Sequence, residues 1–161
     1  AGHTMASTVD AHRLLAAGEL TAVFPEGYKG LGKHFRDRYK LQRFGRGGFV
    51  EVALRARAPI VPCAIVGSEE ASPGISRRGW LAERLGVPLL AANPALQLAP
   101  AALLPLPSRW TLRFGDPVDV AGHDPAAADD PAIVNALTER VRGVVQAMLD
   151  EDVAARSSVF L

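Results

Sequence analysis

The stretch "FGRGGFVEVALRARAPIVPCAIV", residues 44–66, combines the two patterns that decide the fold class. Its first part, residues 44–57, has a spacing of three to four residues between apolar side chains that predicts one helix face: Phe49, Ala53 and Ala56. Its second part, residues 59–66, is a short β-branched apolar run, which predicts a buried strand. Pro62 must then lie where the strand needs no backbone donor.

The residues before this stretch extend the pattern. Residues 8–18 predict a short helix that Thr8 or Asp10 caps and Gly18 ends. Residues 20–24 are apolar and predict a strand. A strand, a helix and a strand in close succession are typical of a βαβ unit, so we predict an α/β fold with a mostly buried mixed sheet and flanking helices.

The C-terminal part of the sequence adds a strand and a long helix. Residues 109–115 alternate between apolar and polar side chains, which predicts a half-exposed strand. Asp129 or Asp130 is suited to cap the last helix, and Pro131 is suited to its first turn. A continuous apolar stripe supports this helix: Ile133, Leu137, Val141, Val144 and Met148.

Length and composition indicate an ordinary globular protein. The 161 residues predict a single α/β domain over residues 1–161, in which residues 1–4, before Met5, have the character of a vector-derived leader. The net charge of +1 gives no basic surface for nucleic acid. The single cysteine, Cys63, excludes an internal disulfide and a multi-cysteine metal site, and the four histidines lack ligand spacing. We therefore expect no metal and no cofactor.

An uncharged segment at residues 85–107 has two interpretations. Its 23 residues are long enough for a membrane span, but its five prolines argue against one because each removes a helical donor. The segment is predicted to be either a buried irregular connection or a surface that contacts membrane or lipid chains.

The glycine-rich loop in "TAVFPEGYKGLGKHF", residues 21–35, also has two interpretations. Gly27, Gly32 and Lys33 fit the phosphate-binding pattern G-x-x-x-x-G-K, which places a nucleotide-binding domain among the alternatives. That pattern requires Ser or Thr next, to hold magnesium, and the sequence has His34.

The second interpretation begins from Glu26, a carboxylate at the end of the predicted strand. There it can accept a hydrogen bond from a substrate hydroxyl, while Lys29 pairs with an anionic group of the same substrate. The structural alternative is that Glu26 only pairs with Lys29 or Arg46 and stabilises the loop by about 0–1 kcal/mol.

Four blocks of the sequence resemble the glycerolipid and lysophospholipid acyltransferase family, in family order over residues 14–120. "VFPEGYKG" resembles its F-P-E-G block, and "GKHFRDRYKLQRFGRGGFVEVAL" resembles the following segment near the monoacylglycerol and diacylglycerol acyltransferases. "APIVPCAIVGSEE" and "LLPLPSRWTLRFGDPV" are similar to the next two strand blocks.

The resemblance implies roles for individual residues. Glu26 and Gly27 would form part of the acceptor pocket, and Lys29 stands where many relatives have an arginine that grips the acceptor phosphate. Lysine keeps the charge but loses the bidentate fork. Lys33 and Arg46 are further candidates for contacts with an anion. The remaining matched residues would shape the motifs: Phe24, Pro25 and Pro62.

The family's catalytic signature is absent from the sequence. In relatives a histidine acts as general base and an aspartate five positions later orients its ring, but no histidine of this chain has an aspartate at that position. We therefore expect the C-terminal part of an acyltransferase domain, which carries the acceptor-binding half and is inactive alone. The main alternative is a non-catalytic lipid-binding or interaction domain.

The resemblance also implies the setting in which the chain works. The acyl donor would be acyl-CoA or acyl carrier protein, and the acceptor a glycerolipid in phospholipid or glycerolipid synthesis. We expect a cytoplasmic protein with peripheral contact on the inner face of the membrane, no nucleic-acid partner, and a homo-oligomer for this fragment.

Overall fold

The computed structural model describes residues 7–27, 33, 35–71 and 106–159. This part of the chain is mixed α/β, as predicted, with four α-helices and a two-stranded antiparallel sheet. The helices are α1 Thr8–Ala16, α2 Gly48–Ala56, α3 Ser68–Ala71 and α4 Pro131–Ala154, and the strands are β1 Cys63–Val66 and β2 Thr111–Phe114. Two short 3-10 helices cover Phe35–Asp37 and Pro125–Asp129.

The described residues belong to two compact units. The first unit comprises residues 1–27, 43–63 and 114–145, and the second comprises residues 28–42, 64–113 and 146–161. The single-domain assignment stays a prediction. In the described ranges, no helix combines the length and the apolar composition that a membrane span requires. The uncharged segment at residues 85–107 lies outside the described residues except for its last two.

The helix predicted at residues 8–18 is confirmed as α1, with a different cap. Ser7 is the N-cap, and its hydroxyl accepts a bond from the backbone N–H of Asp10 at 3.5 Å. Neither Thr8 nor Asp10 takes that position, because both already lie within the first helical turn. A turn at Ala17 and Gly18 ends the helix.

Helix α2 begins four residues later than predicted. Residues 45–47 form a turn instead, because Gly45 and Gly47 adopt left-handed backbone conformations with φ of +44° and +80°. Gly47 also lies against α4, where an added Cβ would come within 2.6 Å of Val134 and 2.7 Å of Thr138. Glycine at position 47 is therefore required both by the backbone conformation and by the close packing.

Helix α2 and the start of α4 form the core of the first unit. The most buried α2 side chains are Val50 and Leu54, which lie beside the predicted face, while Ala53 on that face is also buried. The buried cluster consists of Val50, Ala53, Leu54, Val120, Ala128, Val134 and Leu137.

The predicted strand at residues 20–24 is wrong, and so is the βαβ unit that depended on it. This segment has no strand structure, and the side chains of Leu20 and Phe24 are 100% and 80% exposed. A strand requires a hydrogen-bonded neighbour, and the sheet of the described residues contains only β1 and β2. That sheet is antiparallel rather than mixed, and β2 is largely exposed rather than buried.

The strand predicted at residues 59–66 is confirmed over its second half. β1 begins at Cys63, directly after Pro62, so the proline ring replaces no ladder donor. The carbonyl of Pro62 accepts a bond from the N–H of Gly115 at 2.9 Å. Before it, Ile60 and Val118 form an isolated antiparallel bridge.

The long C-terminal helix is confirmed as α4. Asp130 precedes Pro131, and its carboxylate accepts a bond from the N–H of Ala132 at 2.8 Å, as predicted for the cap. Within the predicted stripe, Leu137, Val141 and Met148 are buried, whereas Ile133 and Val144 are half-buried.

Two glycine-to-alanine substitutions test the packing of Gly47. In Gly47→Ala, the strained backbone and the contact with Val134 should lower the free energy of unfolding by about 2 kcal/mol or more. Gly143→Ala is the matched control, because Gly143 lies inside α4 with open space around it and should gain about 0.5–1 kcal/mol. Denaturant unfolding measures both, and equal stability of the two variants would contradict the packing argument.

Candidate functional site

The F-P-E-G residues form a turn in the first unit. The N–H of Gly27 bonds to the carbonyl of Phe24 at 3.1 Å, and Gly27 adopts a left-handed conformation with φ of +54°. Glu26 is half-buried within this turn, while the ring of Phe24 is exposed. A glycine at position 27 therefore lets the chain reverse directly after the carboxylate.

A second turn of the same unit approaches the F-P-E-G turn. A Cβ at Gly45 would lie 3.8 Å from the carbonyl oxygen of Pro25, which is ordinary van der Waals distance. Arg46, the next residue, is exposed. The structure thus brings the turn that carries Arg46 next to the turn that carries Glu26, although Gly45 and Glu26 are 19 positions apart along the chain.

Of the other predicted acceptor residues, Lys29 lies outside the described part of the chain and Lys33 is ion-paired. Lys29 and the glycines at positions 30 and 32 lie outside the described residues. Lys33 belongs to the second unit, where its side chain is only 5% exposed and its Nζ lies 2.9 Å from Oε1 of Glu69. Nζ also donates to the carbonyl of Lys40 at 3.2 Å. The carboxylate of Glu69 thus balances the charge of Lys33, whose role in acceptor binding stays a prediction.

The structure gives the phosphate-loop interpretation little support. In a P-loop the backbone N–H groups at the start of a helix hold the phosphates, so a helix must follow the glycines. Between Lys33 and the start of α2 at Gly48, the helical structure of the described residues is limited to the three-residue 3-10 helix Phe35–Asp37. The P-loop motif also requires a strand before the glycines, and residues 20–24 do not form one.

Next to Glu69, the buried carboxylate of Glu70 organises a polar cluster that the sequence reasoning missed. Glu70 is 1% exposed and accepts a hydrogen bond from the hydroxyl of Tyr39. Two guanidinium groups approach the same carboxylate: Nη1 of Arg156 at 3.1 Å and Nε of Arg38 at 3.4 Å. The one available signal was a pair of adjacent glutamates three and four residues after the end of the predicted buried strand.

Tyr39 connects several segments of the second unit. Its hydroxyl accepts a bond from the N–H of Gly67 at 2.7 Å, while its carbonyl accepts one from Nε2 of Gln146 at 2.8 Å. Its backbone has φ of +62°, a conformation that non-glycine residues rarely adopt. Burial, together with the hydrogen bond to Glu70, raises the pKa of Tyr39 because both disfavour the phenolate.

A groove of about 450 Å³ lies elsewhere in the first unit. It is lined by Thr8, Val9, His12, Glu51, Val52 and Arg55, from α1 and α2. None of the predicted acceptor residues that the structure describes lines it. Cys63 is half-buried outside this groove, and burial raises the pKa of its thiol.

Comparison with known proteins supports the resemblance over the N-terminal part of the chain. The family model described as "Acyltransferase" matches residues 1–66, which include the F-P-E-G turn, the Arg46 turn and Pro62. The match also includes the four residues before Met5. It specifies neither the acceptor nor the donor.

Proteins of several mycobacteria are similar to this chain and are longer than it is. Uncharacterized proteins of Mycobacterium tuberculosis and Mycobacterium bovis are each 56% identical over 161 residues, covering 99% of this chain and 45% of their own length. One from Mycobacterium leprae is also 56% identical, with 44% of its length covered. The chain thus spans less than half the length of these relatives. No solved structure matches the chain.

The raised pKa of Tyr39 predicts a loss of stability in alkaline solution. Above about pH 10, where an unfolded tyrosine ionises, the unfolded chain releases a proton that the folded chain retains, so the free energy of unfolding falls. This part of the pH dependence, at most about 1.4 kcal/mol per pH unit, should be missing in Tyr39→Phe.

Denaturant unfolding of the parent and Tyr39→Phe between pH 7 and pH 11 measures the difference. At pH 7 the variant should already be less stable by about 1–3 kcal/mol, because Gly67 and Glu70 each lose a hydrogen-bond partner. Tyr28→Phe, which changes the other tyrosine, is the control. Parallel pH profiles for the parent and Tyr39→Phe would contradict the assignment.

Proposed function

We propose that this chain supplies the acceptor-binding part of an acyltransferase. The complete reaction would move a fatty acyl group from acyl-CoA or acyl carrier protein to the hydroxyl of a glycerolipid, in phospholipid or glycerolipid synthesis. The observation that carries the proposal is the F-P-E-G turn, which lies inside the segment that matches the acyltransferase family model.

The neighbouring turns of the first unit support a division of roles. Glu26 is half-buried in a turn that Gly27 makes possible, so its carboxylate is suited to accept a hydrogen bond from an acceptor hydroxyl. Arg46 is exposed on the adjacent turn and can donate two parallel hydrogen bonds to a phosphate. Lys29 would add a second positive charge two residues after Gly27.

The chemistry of acyl transfer defines what this chain lacks. The acceptor oxygen attacks the thioester carbonyl, the carbon–sulfur bond breaks, the thiolate leaves, and a base takes the hydroxyl proton. The resemblance assigns that base to the histidine of the His-x-x-x-x-Asp signature, which the 161 residues do not contain. In this proposal the chain therefore binds and orients the acceptor, and another part of the longer protein supplies the base.

The missing signature also supports a second candidate, a non-catalytic lipid-binding or interaction domain. Such a domain would keep the acceptor pocket of the family without acyl transfer. The two candidates differ in the longer protein: the acyltransferase consumes acyl donor when an acceptor is present, whereas the binding domain does not. A full-length sequence that contains the His-x-x-x-x-Asp signature would favour the acyltransferase.

The isolated 161-residue chain should have no acyltransferase turnover. Without the base the reaction loses general-base assistance, which typically contributes about 10² to 10⁴-fold. Release of free CoA from acyl-CoA, followed with a thiol reagent in the presence of glycerol 3-phosphate or monoacylglycerol, should equal the rate without protein. Release above that rate, abolished in Glu26→Ala, would contradict the assignment.

Glycerol 3-phosphate should bind near the two turns of the first unit. Removing one charge-assisted hydrogen bond costs about 1.5–3 kcal/mol of binding free energy. Arg46→Ala and Lys29→Ala should therefore each raise the dissociation constant of glycerol 3-phosphate about ten- to one-hundred-fold. Isothermal titration calorimetry measures the affinity. Arg140→Ala is the matched control, since Arg140 is exposed on α4 of the same unit. If both variants bind as the parent does, the loop has only a structural role.

A further inference from the structure

Strand β2 and the residue directly before it expose a row of large apolar side chains. Trp110, Leu112 and Phe114 are 54%, 56% and 70% exposed, and the alternation of a strand directs residues two apart to the same face. Nε1 of Trp110 donates to the hydroxyl of Ser108 at 3.0 Å, which fixes the indole at the start of this row. We refer to the three side chains as the β2 face.

On the opposite side of β2, Arg113 is paired with carboxylates. The guanidinium of Arg113 lies 3.0 Å from Oε2 of Glu151 and 3.2 Å from Oδ2 of Asp152, both near the end of α4. The only cation within β2 is therefore paired with carboxylates on the side away from the β2 face. This arrangement leaves the β2 face apolar and uncharged.

The sheet of the described residues has two strands. β1 and β2 have four residues each, and among the described residues β2 has no neighbour on its second edge. A two-stranded sheet is marginally stable in water and needs a third strand or a packed layer. Native proteins rarely leave an apolar edge strand uncovered, because it pairs readily with other strands.

The longer relatives contain enough additional chain to cover this surface. Since this chain spans 45% of their length, more than half of each relative lies outside the matched region. We propose that the β2 face and the second edge of β2 dock a strand from that additional polypeptide. Backbone hydrogen bonds would extend the sheet, and alternate apolar side chains of the added strand would cover Trp110, Leu112 and Phe114.

This occupant fits the β2 face better than a lipid surface does. Binding to an anionic membrane normally combines apolar side chains with unpaired lysines or arginines on the same side. On β2 the arginine is ion-paired on the other side. A second copy of this chain can pair with the same edge, and the polypeptide of the longer protein would then displace it.

Co-expression tests the proposal directly. The chain is produced together with a tagged polypeptide that comprises the part of the Mycobacterium tuberculosis relative outside the match. Trp80→Phe is introduced throughout, and any tryptophan of the tagged polypeptide is replaced by phenylalanine, so that Trp110 is the only tryptophan of the complex. We expect a one-to-one complex on affinity purification, and a blue shift of Trp110 emission relative to the isolated chain because the indole loses water contact.

Matched substitutions identify the surface. Leu112→Asp should reduce the yield of complex at least about tenfold, because it places a charge in the buried interface. Val9→Asp is the control: Val9 is 75% exposed at the start of α1, so the same change should leave the yield unchanged. Circular dichroism of each isolated variant establishes that it folds, and Phe114→Ser replaces Leu112→Asp if that variant does not.

Several outcomes would overturn the proposal. One is failure of both this chain and the corresponding part of the relative itself to associate with the tagged polypeptide. Another is a complex whose yield is the same with Leu112→Asp as with Val9→Asp. A homodimer that the tagged polypeptide does not displace would assign the β2 face to a second copy. Binding to phosphatidylglycerol vesicles that Leu112→Asp abolishes, without formation of the complex, would assign it to lipid.

Discussion

Burying the carboxylate of Glu70 removes a full charge from water, and the second unit is arranged so that protein groups replace that water. Burying an unpaired ion lowers the free energy of unfolding by several kcal/mol, so the fold requires partners for this carboxylate. Arg156 and Arg38 supply positive charge, and the Tyr39 hydroxyl supplies a donor. These partners come from the segment before α2 and from the residues after α4. The requirement for charge compensation thus joins parts of the chain that are distant in sequence.

The same requirement constrains the residues that follow the glycine-rich loop. Tyr39 is held in a left-handed conformation by bonds at its hydroxyl and at its carbonyl, the latter from Gln146. Lys33 is fixed by Glu69, the neighbour of Glu70. Because Lys33 is already paired, it is less suited to the proposed acceptor phosphate than the exposed Arg46. Sequence reasoning made Lys29, Lys33 and Arg46 all candidates for an anion, and only the contacts distinguish Lys33.

The features that the sequence predicted correctly depend on neighbouring residues. The last helix follows from a cap at Asp130, a proline at position 131 and an apolar stripe, all of which act within a few turns. The position of Pro62 just before β1 follows from its missing N–H. The predicted start of α2 was wrong because the spacing of apolar side chains carries no information about backbone conformation. Gly45 and Gly47 adopt left-handed conformations, which end the helical pattern before residue 48.

The features that the sequence did not predict depend on distant partners. The Glu70 cluster joins residues 31 to 86 positions apart, and no local pattern specifies which arginine approaches which carboxylate. The turn of Arg46 lies beside the F-P-E-G turn only because the first unit folds that way. The candidate site was therefore predictable as a set of residue types in a matched motif, but not as an arrangement in space.

Strand formation shows most clearly why composition is insufficient. Residues 20–24 are more apolar than β2, which contains Arg113, yet only β2 has a hydrogen-bonded neighbour in the described part of the chain, and it has one on a single side. Burying a leucine or phenylalanine side chain fully is worth about 1.5–3 kcal/mol, and Leu112 and Phe114 have realised less than half of that burial. The missing part of this free energy becomes available only when a partner covers the strand and removes these side chains from water. An apolar face with an open edge is thus stabilised by whatever binds it, and in the proposed docking the additional polypeptide of the longer relatives would supply that stabilisation.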